Sequence, residues 1–236
     1  AKLTHGIRGI LWHQGENNQG TAGPTGDYDW KAYENYFVEM SAAWKRDFPN
    51  VQHYYVFQIW PNSCSMAGNS GAGDMIREIQ RSLPRLYSNM GVMSTLGIKP
   101  AGPCHYPLVG WSEFARLIQP LVERDNYGLK VTGPITPPNL VRTHYAGPAK
   151  DAIILEYDQP IVWSDALTDQ FYLDGEKQKV ESGSLKGNVL TLKLKGPSTA
   201  KTITYLKESN WSQEKLLIGN NGIAALTFCD VPILQP

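Results

Sequence analysis

An apolar run, Gly6-Ile7-Arg8-Gly9-Ile10-Leu11-Trp12, stops abruptly in His13-Gln14-Gly15-Glu16-Asn17-Asn18, where imidazole, amide and carboxylate groups crowd together. The run reads as a buried strand that delivers polar groups to its carboxyl end. In an open parallel α/β sheet that end is where ligand crevices form. Glu16 is the carboxylate candidate there, Gln14 an amide donor, and Trp12, Asn17 and Asn18 candidate ligand contacts. Amide-rich residues also build plain turns, but a tryptophan and a carboxylate at one rim favour a site. A second candidate lies in Gly102-Pro103-Cys104-His105-Tyr106-Pro107. A serine hydroxyl is a poor nucleophile until an imidazole removes its proton, and His105 could do so. The other histidines read as weaker: His5 is near the terminus, His53 opens a strand, His144 lies beyond a linker, and His13 alternates away from its neighbours.

The stretch from Trp12 to Asn18 resembles the Trp-Tyr/His-Gln-Gly-Glu-Ser-Asn signature of the sialate O-acetylesterase and acetyl xylan esterase branch of the SGNH hydrolases. Asn17 departs from it, standing where that family has Ser or Ala. The resemblance covers residues 1 to about 127 and implies a carbohydrate esterase domain acting on acetylated glycans. It matches His105 to the catalytic histidine, gives Glu16 the triad carboxylate and Gln14 the oxyanion, and pairs Arg77 with Gln80 as a brace. Trp60, Tyr106 and Arg77 join Trp12, Asn17 and Asn18 as expected substrate contacts.

The wider family places an aspartate two or three residues before the histidine, but those positions here are Gly102 and Pro103. Ser94 through Ser112 contains no acidic residue, so the carboxylate must come from another segment, with Asp74 second to Glu16. The family's Gly-Asp-Ser or Gly-Gln-Ser nucleophile block does not occur in this sequence. Gly68-Asn69-Ser70-Gly71-Ala72 lacks the second glycine of a nucleophile elbow. The expectation is therefore a C-terminal portion, partnered by an N-terminal segment or second chain that carries the serine. Such esterases are commonly exported, which implies a secreted or periplasmic setting and permits a Cys64–Cys104 disulfide, with Cys229 left as a buried thiol.

These residues need elements to hold them. Tyr33, Phe37, Met40, Trp44 and Phe48 recur at helical spacing behind Asp29 as N-cap. Val51 to Trp60 is the near-continuous apolar run of a strand buried on both faces. A second helix follows Asp74, a third strand runs from Met90 to Leu96, and a last helix carries Trp111, Phe114, Ile118 and Leu121. The order β-α-β-α-β-α predicts half of a doubly wound parallel-sheet domain over residues 1–127. Past Gly128 helical periodicity disappears, and Gly133-Pro134-Ile135-Thr136-Pro137-Pro138 reads as a linker. Short runs at Ala152–Tyr157, Gln170–Leu173, Lys177–Ser182, Val189–Leu194, Thr202–Leu206 and Ala224–Phe228 predict a β-sandwich of about seven strands over residues 128–236.

Lys plus Arg equals Asp plus Glu at 22 each, and the two halves are each balanced, which argues against nucleic acid as a partner. No apolar run approaches the ~20 residues of a membrane span. No set of His, Cys or Asp stands at metal-ligand spacing on one element, so no metal or cofactor is expected. The rival to an esterase is a non-catalytic glycan-binding protein that uses the same rim, consistent with seven tryptophans and twelve tyrosines.

Overall fold

A computed structural model describes residues 2–19, 29–61, 64, 71–99 and 105–235. The chain divides into two units, Ala1–Thr136 and Pro137–Pro236, so the boundary falls within the proline-rich linker.

In the first unit a short helix, α1 (Lys2–Gly6), precedes β1 (Gly9–Trp12), a single 3-10 turn over Glu16–Gln19, and α2 (Trp30–Asp47). Then come β2 (His53–Gln58), α3 (Ala72–Ser82), β3 (Met90–Ser94) and α4 (Leu108–Tyr127). β1 starts later than residue 7, because pairing begins only where the Arg8 carbonyl accepts from Gln52 and His53 and the residues before it have closed into helix. The strands lie in the order β1-β2-β3, all parallel, with Trp12 opposite Val56 and Gln58 opposite Ser94.

Helices cover both faces, and the side chains of β2 show how. Val56 packs with Phe37 of α2 and Leu83 at the end of α3, and Tyr54 donates to the Ser41 carbonyl of α2. The alternate residues turn the other way: the ring of Phe57 lies 5.0 Å from Phe114 of α4, and the Tyr55 hydroxyl reaches Asp125 and Asn126. Two-sided cover of this kind explains why β2 reads as unbroken apolar sequence. α2 starts where the Asp29 carboxylate accepts from the Lys31 amide at 2.9 Å, and it ends just before Pro49. No helix among the described residues is long and apolar enough to cross a membrane.

The second unit is β throughout apart from single 3-10 turns. Its strands are β4 (Leu140–Tyr145), β5 (Ala152–Tyr157), β6 (Ile161–Val162), β7 (Phe171–Leu173), β8 (Val180–Lys186), β9 (Val189–Leu194), β10 (Thr202–Tyr205), β11 (Ile218–Gly219) and β12 (Phe228–Pro232). They form antiparallel sheets ordered β4-β5-β9-β8, β12-β10-β7 and β11-β6. Ile153, Leu155 and Tyr157 alternate into the core beside Leu190, Leu192 and Leu194. β4 escapes a period-two reading because a bulge between Leu140 and Arg142 breaks its alternation. The last strand lies further along than expected, over Phe228–Pro232, where β10 supplies its partner.

Candidate active site

The rim begins at Gly15. Its φ of +153° is unfavourable for any residue with a Cβ, and a Cβ there would stand 2.8 Å from Gln80 Nε2 and 3.1 Å from Ile76 Cγ2. Glycine lets the chain turn tightly against α3 so that Gln80 can reach it. Gln80 Nε2 donates to the Gln14 carbonyl at 2.8 Å and the Tyr33 hydroxyl donates to the same oxygen at 2.9 Å. The other end of Gln80 accepts from the Ile59 amide at 3.0 Å. One side chain, 0% exposed, thereby ties together the carboxyl ends of β1 and β2. Burial pushes the Tyr33 hydroxyl up to about 12, so it remains a donor throughout the physiological range. Gly15→Ala is expected to cost about 1–3 kcal/mol, the usual range for a residue forced into a sparsely populated backbone region. Urea unfolding monitored by tryptophan fluorescence measures it.

The tie continues to β3 and beyond. Gln58 Nε2 donates to the Arg77 carbonyl at 2.9 Å, and Thr95 Oγ1 donates to the Gln58 carbonyl at 2.7 Å. The Tyr106 hydroxyl donates to the Thr95 carbonyl, also at 2.7 Å. Burial raises the Tyr106 pKa well above its ordinary value and keeps it protonated as that donor. The residue after His105 is therefore fixed to the end of β3 while His105 itself is exposed.

Glu16 opens the 3-10 turn after β1, and its Oε1 lies 3.7 Å from His13 Nε2. The ring of His13 is surrounded by Phe57, Trp60, Trp111 and Phe114, with centroids 5.9, 6.2, 6.1 and 5.2 Å away. Burial lowers the His13 pKa, the Glu16 carboxylate partly offsets this, and the charge of His105 lowers it further. Glu16 and His105 thus each lie within electrostatic reach of His13. Strand alternation sends His13 away from Trp12 and Gln14, as the sequence suggests. That direction leads to the α4 face, where Trp111 and Phe114 meet the His13 ring. The signal for His13 was present, therefore, but could not be read without knowing which face carries the site.

On the opposite face Gln14 Nε2 donates to Asn18 Oδ1 at 2.9 Å. This amide pair borders a cavity of about 240 Å³ walled by Trp12, Tyr33, Tyr36, Phe37 and Met40. Asn17 is exposed at the rim. Trp60, Tyr106 and Arg77, expected beside a substrate, are buried at 1%, 3% and 0% exposure. That corrects their role: an enclosed ring or guanidinium cannot lie against a sugar, and these three support the rim from beneath. Trp60 packs edge-on to Tyr106 with centroids 4.4 Å apart, and Arg77 is ion-paired with Asp74. Sequence reasoning passed over Trp111, which is 42% exposed at the first turn of α4 beside Leu108 and Val109.

Cys64 is disulfide-bonded, and Cys229 is buried and takes part in no disulfide. Cys104, the partner expected for Cys64, lies outside the described residues. Among the described residues no group of three or more His, Cys, Asp or Glu side chains is placed to hold a metal ion.

A parallel sheet whose strand ends are tied into one rim, followed by a β unit, is compatible with an esterase-like α/β fold followed by a β module. The fold is similar to the crystal structure of a carbohydrate acetylesterase from Xanthomonas citri, with a TM-score of 0.72 over 94% of this chain at 15% identity. This chain spans 50% of that protein's length. The N-terminal part of the bacterial S-layer protein SbsC is far less similar, with a TM-score of 0.30 at 13% identity over 70% of this chain and 34% of that one. No family model matches the sequence, and no curated protein does.

Proposed function

We propose that this chain is part of a carbohydrate O-acetylesterase, a serine hydrolase that removes O-acetyl groups from glycans. What supports this reading is a fold similar to that of a carbohydrate acetylesterase, with the Glu16 carboxylate 3.7 Å from His13 at the strand-end rim and His105 acting electrostatically on the same imidazole. In this reading residues 1–127 are half of a doubly wound SGNH-type domain, and residues 128–236 are a β-sandwich accessory module. The serine comes from an N-terminal segment or a second chain, since no Gly-x-Ser elbow of the required kind stands in this sequence.

The serine oxygen attacks the acetyl carbonyl as His105 takes its proton, and the oxyanion of the tetrahedral intermediate is met by the Gln14 amide once that amide leaves Asn18 and turns from the α2 side toward the rim. His105 then returns the proton to the departing sugar hydroxyl. Water repeats the sequence on the acyl-serine and releases acetate. Glu16 stabilises the imidazolium that forms in each half-reaction. Trp12, Asn17 and Asn18 face the glycan. The disulfide at Cys64 supports an oxidising, extracytoplasmic setting, where such bonds persist.

The complete protein is expected to release acetate from a panel of acetylated xylans and sialosides, and to lose that activity on His105→Ala or on treatment with a serine-directed inhibitor. Binding of the same glycans without any acetate release would instead make this a glycan-binding protein with an esterase fold.

A further inference from the structure

We propose that His13 is a positioning residue of this site, coupling the Glu16 carboxylate to His105. The inference rests on the esterase reading for its chemistry and gives a role to a group that reading leaves unused.

The placement of His13 is unlike that of a ring that only fills space. Its Nε2 is buried and, among the described residues, has no hydrogen-bond partner, yet it is aimed at a carboxylate 3.7 Å away. A gap of this size lies just outside hydrogen-bond range, and a shift of about 1 Å closes it to the ~2.8 Å of a charge-assisted bond. A core histidine ordinarily satisfies both nitrogens, because a buried polar atom left unpaired is costly. Such an atom at a rim is explained if its partner arrives with substrate or with closure of the site.

The surroundings determine which imidazole carries charge. The elements packed on His13 contribute Phe57 and Trp60 from β2 and its end, and Trp111 and Phe114 from α4. The titratable groups that act on it are Glu16, from the turn after β1, and His105, just ahead of α4. Two imidazolium ions within reach of each other are mutually unfavourable. His13 is enclosed by rings, so desolvation lowers its pKa and favours its neutral form. Once neutral, His13 no longer opposes the positive charge that His105 gains when it deprotonates the serine.

Histidine titrations by NMR on this chain test the coupling without any substrate. His105→Ala is expected to raise the midpoint of His13, by removing a neighbouring positive charge, and Glu16→Gln is expected to lower it, by removing a negative one. If neither substitution moves His13, the inference is overturned. In the complete enzyme His13→Phe retains an aromatic ring in the cage. It is expected to lower kcat by about tenfold to a hundredfold, the cost of a misplacement of about 1 Å in a reacting group. KM should change little, and the acid limb of the pH–rate profile should shift. If His13→Phe leaves kcat and the profile unchanged while His105→Ala abolishes turnover, His13 is only a core ring and this inference fails, with the esterase reading intact. If His105→Ala has no effect on turnover, the esterase reading fails, and the titrations alone decide whether the coupling stands.

Discussion

Glu16→Gln in the complete enzyme is expected to lower kcat by as much as ~10⁴-fold with little change in KM or in thermal stability, the scale seen when the carboxylate of a related triad is neutralised. Glutamine keeps the size of the side chain and the 3-10 turn that Glu16 begins, so the substitution removes charge and little else. The charge is needed only as the imidazolium forms, which is why the loss should fall on kcat and on kcat/KM alike. Glu16 reaches His13 in the structure, and His13 in turn responds to His105, so the effect on the base is transmitted and the full 10⁴ is an upper figure. A loss of less than about tenfold would show that a different carboxylate serves the histidine. Asp74 is no longer a candidate for that role, because it is 4% exposed and committed to Arg77 within α3.

Much of the scaffold could be read from periodicity, because burial on one face or on two leaves a regular trace. β2 is flanked by helices on both faces and reads as unbroken apolar sequence, and the stripe Tyr33-Phe37-Met40-Trp44 marks α2 against that sheet. β5 and β9 lie where their alternation puts them, since each buries one side only. Elements with interrupted patterns were not legible. β4 contains a bulge, and β6 and β11 are two residues each, too short to show any period. Within the site, the strand-end turn and the histidine loop could be singled out by composition, whereas the roles of particular side chains depended on depth. Arg77 and Gln80 on an amphipathic helix look like surface residues until the fold shows both enclosed beneath the rim. Trp60 and Tyr106 show the converse, since aromatic residues at strand ends suit a sugar platform and a rim support equally well. His13 required still more, because the rings of Phe57, Trp60, Trp111 and Phe114 that enclose it come from segments far apart in the sequence.

Arg77→Met is expected to destabilise the first unit by about 3–5 kcal/mol, the usual consequence of removing one partner from a buried ion pair. Methionine fills much of the volume of the arginine stem, so the loss reports charge more than cavity. What it leaves is a buried Asp74 carboxylate that has lost its Arg77 cation, and a buried charge deprived of its ion partner is more costly than an apolar replacement of both groups. The rim should suffer with the helix. The backbone carbonyl of Arg77 receives Gln58, whose own carbonyl receives Thr95, and Thr95 holds Tyr106 next to His105. Because the chain folds as two units, urea unfolding should resolve into two transitions, with only that of residues 1–136 displaced. The double replacement Asp74→Asn with Arg77→Met separates pairing from packing: recovery of more than half of the lost stability is expected once the stranded carboxylate is neutral. A single-variant cost below about 1 kcal/mol would place this pair with surface ion pairs, which contribute little, and α3 would then owe its seat on the sheet to Ile76, Leu83 and the Gln80 bonds alone.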